Sequence, residues 1–171
     1  MLRLVNEAHQ VPPGGHDGLF ILFKYLIMDN QEVEILIIDD NANDAELAIR
    51  ALRKQNIANK LIHLTDGVEA LDFLFGTGKF SGRNTEIKPK VIFLDLKMPR
   101  LSGLQVLERI KSDSKFKSIP IVILTSSAED PDIKRSYELG ANSYIVKPVE
   151  FENFAKTVSD LGLYWVVINK G

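Results

Sequence analysis

The 171-residue sequence contains no cysteine. This absence excludes disulfide bonds, thiolate nucleophiles and cysteine-ligated metal sites, and it is compatible with a reducing cytosol. A dominant charge is also missing, because 21 lysines and arginines nearly balance 23 aspartates and glutamates, for a formal net charge of −2. So small a net charge argues against nucleic acid as a direct partner.

A membrane-spanning run is missing as well. The most apolar stretch, LFILFKYLIM from Leu19 to Met28, has about half of the roughly 20 residues that a spanning helix needs. No small-residue cleavage site follows it, so a secretory signal is disfavoured too. We expect no membrane insertion and treat residues 1–30 as an extension of unknown role. It is either a short helix docked on the domain or a leader before a native start at Met28.

From Val33 onward, short apolar runs alternate with segments of helical periodicity. This alternation is typical of an α/β protein whose parallel sheet is covered on both faces. We predict one domain at residues 31–171, with no separate output domain. The predicted strands are Val33–Ile38, Leu61–Leu64, Val91–Leu94, Ile121–Leu124 and Ser143–Val146.

Two segments between and after these strands have their own character. The stretch from Gly76 to Lys90 contains three glycines and four basic residues, and we interpret it as a long exposed loop whose charges are solvated. After the first predicted strand, Asn43 or Asp44 is predicted to cap the first helix.

The last predicted helix carries an apolar stripe whose members recur every three or four residues. Gly162 interrupts it, so the helix either continues or ends there. If it continues, its apolar surface exceeds what one stripe buries against a sheet, which favours a homodimer contact. A tail folded back on its own domain or on the N-terminal extension is an equally good explanation. The stripe consists of Phe151, Phe154, Val158, Leu161, Trp165 and Ile168.

Chemically reactive side chains stand where the predicted strands end. Asp39 and Asp40 follow the first strand, and Asp95 follows the third. Thr125 follows the fourth strand, and Lys147 follows the fifth. Because parallel strands bring their carboxyl ends to one edge of a doubly wound sheet, we expect these five side chains to converge there.

Three converging carboxylates predict a bound cation. At about 5 Å and an effective dielectric constant near 20, each pair repels by roughly 3 kcal/mol. Mg²⁺ is a hard cation that accepts one or two carboxylates and shares its sphere with a phosphoryl oxygen. Asp95 is the best candidate nucleophile, because a carboxylate needs no general base to attack phosphorus. Mg²⁺ and Lys147 would neutralise the charge that develops on the phosphoryl oxygens.

Four stretches carry a resemblance to a known family: IIDDN, VIFLDLKMPRLSG, IVILTSS and SYIVKPV. Together they extend from Val33 to about Leu161, and the chain resembles a receiver domain of the two-component response regulators. The resemblance implies a flavodoxin-like α/β fold with a doubly wound five-stranded parallel sheet in the order 2-1-3-4-5. It also implies a single-domain, cytoplasmic phosphoprotein, similar to the chemotaxis regulators, rather than a turnover enzyme.

The same resemblance assigns a role to each residue at the strand ends. Asp95 matches the phosphoacceptor, and Thr125 and Lys147 match the residues that contact the phosphoryl group. Tyr144 matches the aromatic position that responds to phosphorylation by swinging in behind Thr125. Mg²⁺ is the implied cofactor, and its implied ligands are Asp39, Asp40, Asp95 and the main-chain carbonyl of Lys97.

The implied partner is a sensor histidine kinase, with a two-state response at the fourth helix, fifth strand and fifth helix. The long loop and the ending rich in tyrosine and tryptophan are similar to small regulators paired with bacterial phytochromes. A phosphohydrolase is disfavoured. That class is similar in chemistry but has a D-x-D pattern whose second aspartate acts as acid and base, and the chain has Lys97 at that position, two residues after Asp95. A flavodoxin-type module is disfavoured because DDNAND would repel a phosphate. A receiver-like interaction module that works without phosphorylation is the open alternative.

Overall fold

The protein is described by a computed structural model for residues 33–54, 60–147 and 151–168, with side chains in the last range described for residues 156–167. Within these residues, five parallel strands form one sheet in the order β2-β1-β3-β4-β5. This order confirms the predicted fold class. The predicted extension, residues 1–30, lies outside the described residues. The strands are β1 (Ile35–Ile38), β2 (Leu61–Leu64), β3 (Val91–Leu94), β4 (Ile121–Thr125) and β5 (Ser143–Val146).

A helix follows each strand, as expected for parallel pairing. Helix α5 continues through Gly162 and passes into a π-helical segment, Tyr164–Ile168, so the helix does not end at that glycine. Among the described residues, no helix is long and apolar enough to cross a bilayer. The α-helices are α1 (Ala42–Lys54), α2 (Gly67–Phe75), α3 (Gly103–Ser112), α4 (Asp130–Glu138) and α5 (Phe151–Leu163).

Helices cover both faces of the sheet. Successive residues of a strand point to opposite sides, so alternate residues contact different helix layers. One face packs against α2 and α3 through Leu36, Ile38, Ile92, Leu94 and Ile123. The other packs against α1 and α5 through Ile35, Ile37, Val91, Phe93 and Val122. Each fully buried side chain of this size contributes roughly 1.5–3 kcal/mol, so the two layers hold the strand ends in a fixed arrangement.

Helix α1 begins two or three residues earlier than the predicted cap implies. Its cap is Asn41, whose Oδ1 accepts hydrogen bonds from the N–H groups of Asn43 at 3.0 Å and Asp44 at 3.4 Å. The prediction that Asn43 or Asp44 caps this helix is therefore wrong. Both residues lie inside the first turn, and this leaves the Asp44 carboxylate free to reach another partner.

The loop between α2 and β3 is only partly solvated. It contains a short 3₁₀ helix, Gly78–Phe80. Arg83, which we predicted to be one of its solvated charges, is buried, with its guanidinium carbon 4.1 Å from the centroid of the Phe73 ring. It donates a hydrogen bond to the main-chain carbonyl of Ile87. The prediction for Arg83 is wrong because an arginine can be buried when its guanidinium stacks on an aromatic ring and donates a hydrogen bond to a main-chain carbonyl.

Candidate functional site

The three predicted carboxylates meet at the carboxyl edge of the sheet. Asp39 and Asp40 leave β1 and Asp95 leaves β3, and these strands are direct neighbours with Ile38 opposite Leu94. One carboxylate oxygen from each aspartate lies within 4.8 Å of the other two. Asp39 and Asp95 are buried, whereas Asp40 is exposed.

Lys147 places its ammonium among these acids from the end of β5. Its Nζ lies 2.7 Å from Asp39 Oδ2, 3.0 Å from Asp44 Oδ2 and 3.7 Å from Asp95 Oδ2. The main chain is held as well, because the Lys147 N–H donates to the Thr125 carbonyl at 2.7 Å. Asp44 was not among the predicted site residues, and it reaches Lys147 only because α1 starts at Ala42.

The electrostatics of the cluster leave negative charge uncompensated. Burial raises the pKa of Asp39, and the hydrogen bond and charge of Lys147 only partly offset this. Burial alone would lower the pKa of Lys147, but its bond to Asp39 and the charges of Asp39 and Asp95 raise that pKa overall. One ammonium therefore faces several carboxylates, and a set of oxygen ligands with excess negative charge fits a hard divalent cation such as Mg²⁺.

Main-chain and side-chain donors fix the two buried aspartates. Asp39 Oδ1 accepts the N–H of Asn41 at 2.9 Å, and Asp95 Oδ1 accepts the N–H of Leu96 at 2.9 Å. His63 on β2 places Nε2 2.8 Å from the main-chain carbonyl oxygen of Asp39. This contact joins β2 to the site and was not predicted.

A glycine allows the next helix to approach Asp95 closely. A Cβ atom on Gly103 would lie 2.0 Å from the main-chain carbonyl oxygen of Asp95, so only glycine fits there. The N–H of Gly103 donates to the Leu96 carbonyl at 2.9 Å. Ser102 caps α3 in a capping box with Gln105. The turn after β3 is thereby held against the candidate phosphoacceptor.

Thr125 and Tyr144 are connected through one residue, Ser127. The buried Thr125 hydroxyl accepts the N–H of Ser127 at 3.2 Å, and the Tyr144 hydroxyl donates to the Ser127 carbonyl at 3.0 Å. The Ser127 hydroxyl donates to Asp132 Oδ2 at 2.6 Å, which ties the group to α4. Burial raises the pKa of Tyr144. Ser127 was not predicted.

Lys97 lies apart from this network. Its side chain is exposed and makes no hydrogen bond or ion pair with any residue of the described ranges. The predicted role of its main-chain carbonyl as a metal ligand stays a prediction.

Comparisons with known proteins agree with this arrangement. Residues 35–159 match the response regulator receiver domain family. The chain is 34% identical over 132 residues to the response regulator Rcp1 of Synechocystis sp., covering 77% of this chain and 88% of that protein. A solved structure of the Mn²⁺-bound form of Rcp1 is similar with a TM-score of 0.74 and 33% identity, covering 81% of this chain and 97% of that one.

Two further solved structures belong to phytochrome systems. The phosphorylated cyanobacterial phytochrome response regulator RcpA has a TM-score of 0.75 at 31% identity, covering 81% of this chain and 97% of its own. The bacteriophytochrome response regulator RtBRR is 45% identical with a TM-score of 0.67, covering 81% and 83%. With most of its length matched in sequence and in structure, this chain belongs to the receiver domain family of the response regulators.

Proposed function

We propose that this protein is a single-domain response regulator that accepts a phosphoryl group on Asp95 from a sensor histidine kinase. The observation that carries the proposal is the meeting of the Asp39, Asp40 and Asp95 carboxylates at one edge of the sheet, with the Lys147 ammonium 3.7 Å from Asp95 Oδ2. A phosphoryl group needs a nucleophile and fixed positive charge, and both are present at one edge of the sheet.

The transfer is a single displacement at phosphorus. A carboxylate oxygen of Asp95 attacks, the new O–P bond forms, and the P–N bond to the kinase histidine breaks. The electron pair of that bond leaves with the imidazole, so no oxidant or reductant takes part. Lys147 stabilises the negative charge on the phosphoryl oxygens from its position beside Asp95. Each chain takes one phosphoryl group, which makes it a phosphoacceptor rather than a turnover enzyme.

The residues at this edge would hold Mg²⁺ through Asp39, Asp40, Asp95 and the main-chain carbonyl of Lys97. When bound, Mg²⁺ supplies the positive charge that lets the carboxylates and the phosphoryl oxygens share one site. The all-oxygen donor set supports this assignment. The solved Mn²⁺-bound form of Rcp1 supports a divalent cation in the same family.

Thr125 and Tyr144 form the proposed switch. A hydroxyl that turns toward the phosphoryl group weakens its present bond with the N–H of Ser127, and Ser127 also accepts the Tyr144 hydroxyl. Since Ser127 bonds Asp132 on α4, a change at Thr125 reaches both β5 and α4. We propose that the signal leaves through the surface of α4, β5 and α5.

The proposed kinase partner is a bacterial phytochrome, and the proposed location is the cytoplasm. The similarity to RcpA and RtBRR supports the kinase class, since both are named as phytochrome response regulators. A homodimer through the last helix is the second proposed association. Leu163, Tyr164 and Val167 support it, because they are exposed apolar side chains on consecutive turns.

The test is an intact-mass measurement after incubation with acetyl phosphate and Mg²⁺. We expect one phosphoryl group on the wild type, lost in alkali and stable in acid, and none on Asp95→Asn. Asp160→Asn is the matched control, because it removes an exposed aspartate of α5, and it should be modified like the wild type. A wild type without adduct would contradict the proposal and favour an interaction module that works without phosphorylation.

A further inference from the structure

We propose that His63 is a positioning residue, which fixes the peptide between Asp39 and Asp40 so that the Asp40 carboxylate is aimed at the bound cation. The proposal rests on the proposed function. Its basis is the 2.8 Å contact between His63 Nε2 and the Asp39 carbonyl oxygen, which joins residues 24 positions apart in the sequence.

The direction of this hydrogen bond is determined by chemistry. A carbonyl oxygen only accepts, so His63 Nε2 carries the proton and donates. The last ladder pair between β1 and β2 is Ile38 opposite Leu64, and the Asp39 carbonyl lies just beyond it. Within the described ranges, His63 is the only donor to that carbonyl. The imidazole therefore supplies a bond that the ladder no longer provides.

The consequence falls on Asp40. All three oxygen atoms of Asp39 are held, with Oδ1 bonded to the N–H of Asn41, Oδ2 to Lys147 and the carbonyl to His63. The Asp40 carboxylate is exposed and makes no hydrogen bond or ion pair with any described residue. Only its main chain orients it, and His63 bonds the peptide that leads into that main chain.

Removing a group that orients a metal ligand typically lowers metal affinity at least tenfold. We expect His63→Leu to raise the Kd for Mg²⁺ about tenfold in isothermal titration calorimetry. His63→Gln should stay near the wild-type Kd, because its amide nitrogen reaches the position of Nε2. His63→Asn should resemble His63→Leu, because its amide is one methylene shorter. Thr65→Val is the matched control, since it removes a hydroxyl of the same strand end that bonds Glu69.

Thermal unfolding of each variant without metal separates positioning from folding. If His63→Leu is too unstable to measure, the comparison of Gln with Asn at this position decides. Wild-type affinity in His63→Leu or in His63→Asn would overturn the role of His63 and leave the proposed function intact. A wild type that binds no Mg²⁺ and takes no phosphoryl group would instead contradict the proposed function itself. A His63→Gln variant as weak as His63→Leu would also overturn the positioning role.

Discussion

Single residues decide how the site tolerates its own charge. Lys147 is mostly buried and stands between Asp39 and Asp95, which are more deeply buried still. A buried carboxylate without a partner costs several kcal/mol, whereas a paired one is tolerated. The ammonium therefore has a structural role before any phosphoryl group arrives. The raised pKa of Lys147 agrees with this role, because Asp39 and Asp95 favour its charged form in spite of its burial.

Substitution Lys147→Met should destabilise the folded protein by about 3 kcal/mol at neutral pH without metal, because it leaves buried carboxylates unpaired. The loss should shrink in saturating Mg²⁺, since a cation among the carboxylates replaces the missing charge. Urea unfolding followed by circular dichroism measures both. Lys97→Met is the control and should change stability by less than about 0.5 kcal/mol. An equal loss in the two variants would refute the structural role of Lys147.

The meeting of the residues at the strand ends could be predicted, because the topology alone brings the strand ends together. The hydrogen-bond and ion-pair partners of these residues could not be predicted. Asp44 reaches Lys147 because Asn41, rather than Asp44, caps α1. His63 reaches the Asp39 carbonyl because of the register between β1 and β2. Such contacts depend on where a helix begins and on side-chain conformation. Neither of these produces a recurring pattern in the sequence from which it could be predicted.

At the scale of elements, apolar runs identified every strand in the described residues. The central strands β1, β3 and β4 are buried on both faces and therefore have few polar positions, whereas the edge strands β2 and β5 are only partly buried but still mostly apolar. The loop after α2 was harder to predict, since Arg83 is a charged residue that packs like an apolar one. Helix α2 beside this loop starts at an acidic cap. Asp66 Oδ1 accepts the N–H groups of Val68 at 2.8 Å and Glu69 at 2.9 Å.

Substitution Asp66→Ala should cost about 1 kcal/mol of stability at neutral pH, because it removes this cap. Burial raises the pKa of Asp66, but the N–H of Glu69 and the charge of Arg100 outweigh it and lower that pKa below 3.8. The stabilisation is therefore present above pH 3.8 and is lost as the pH falls through the lower folded value. Urea midpoints at neutral and acidic pH measure the difference.

The matched variant Asp66→Asn keeps a capping oxygen without the charge. It should retain most of the stability at neutral pH and lack the acid-dependent part of the wild-type profile. A constant difference between the wild type and Asp66→Ala at all pH values would contradict the ionised cap.

At the scale of the whole molecule, the sheet gathers chemistry at one edge and α5 offers an apolar surface at its end. Leu161, Trp165 and Val166 pack against the core, whereas Leu163, Tyr164 and Val167 are exposed. The packed side chains agree with the interpretation that the last helix folds back on its own domain. The exposed side chains form the surface through which we propose self-association.

Substitution Val167→Glu should weaken self-association about tenfold or more, because a charge at an apolar contact loses its water without gaining a partner. Sedimentation equilibrium over a range of concentrations measures this. Val68→Glu is the control, because it alters an exposed apolar residue on α2. A wild type that stays monomeric at all concentrations, or equal effects of both changes, would rule out the dimer surface.

The most direct measurement of the central claim is a crystal structure of the protein grown with Mn²⁺, with anomalous data collected at the manganese edge. We expect one anomalous peak within coordination distance of the Asp39, Asp40 and Asp95 carboxylates and the Lys97 main-chain carbonyl, with the Lys147 ammonium beside it. Density that shows no ion there, with these carboxylates directed into solvent, would contradict it.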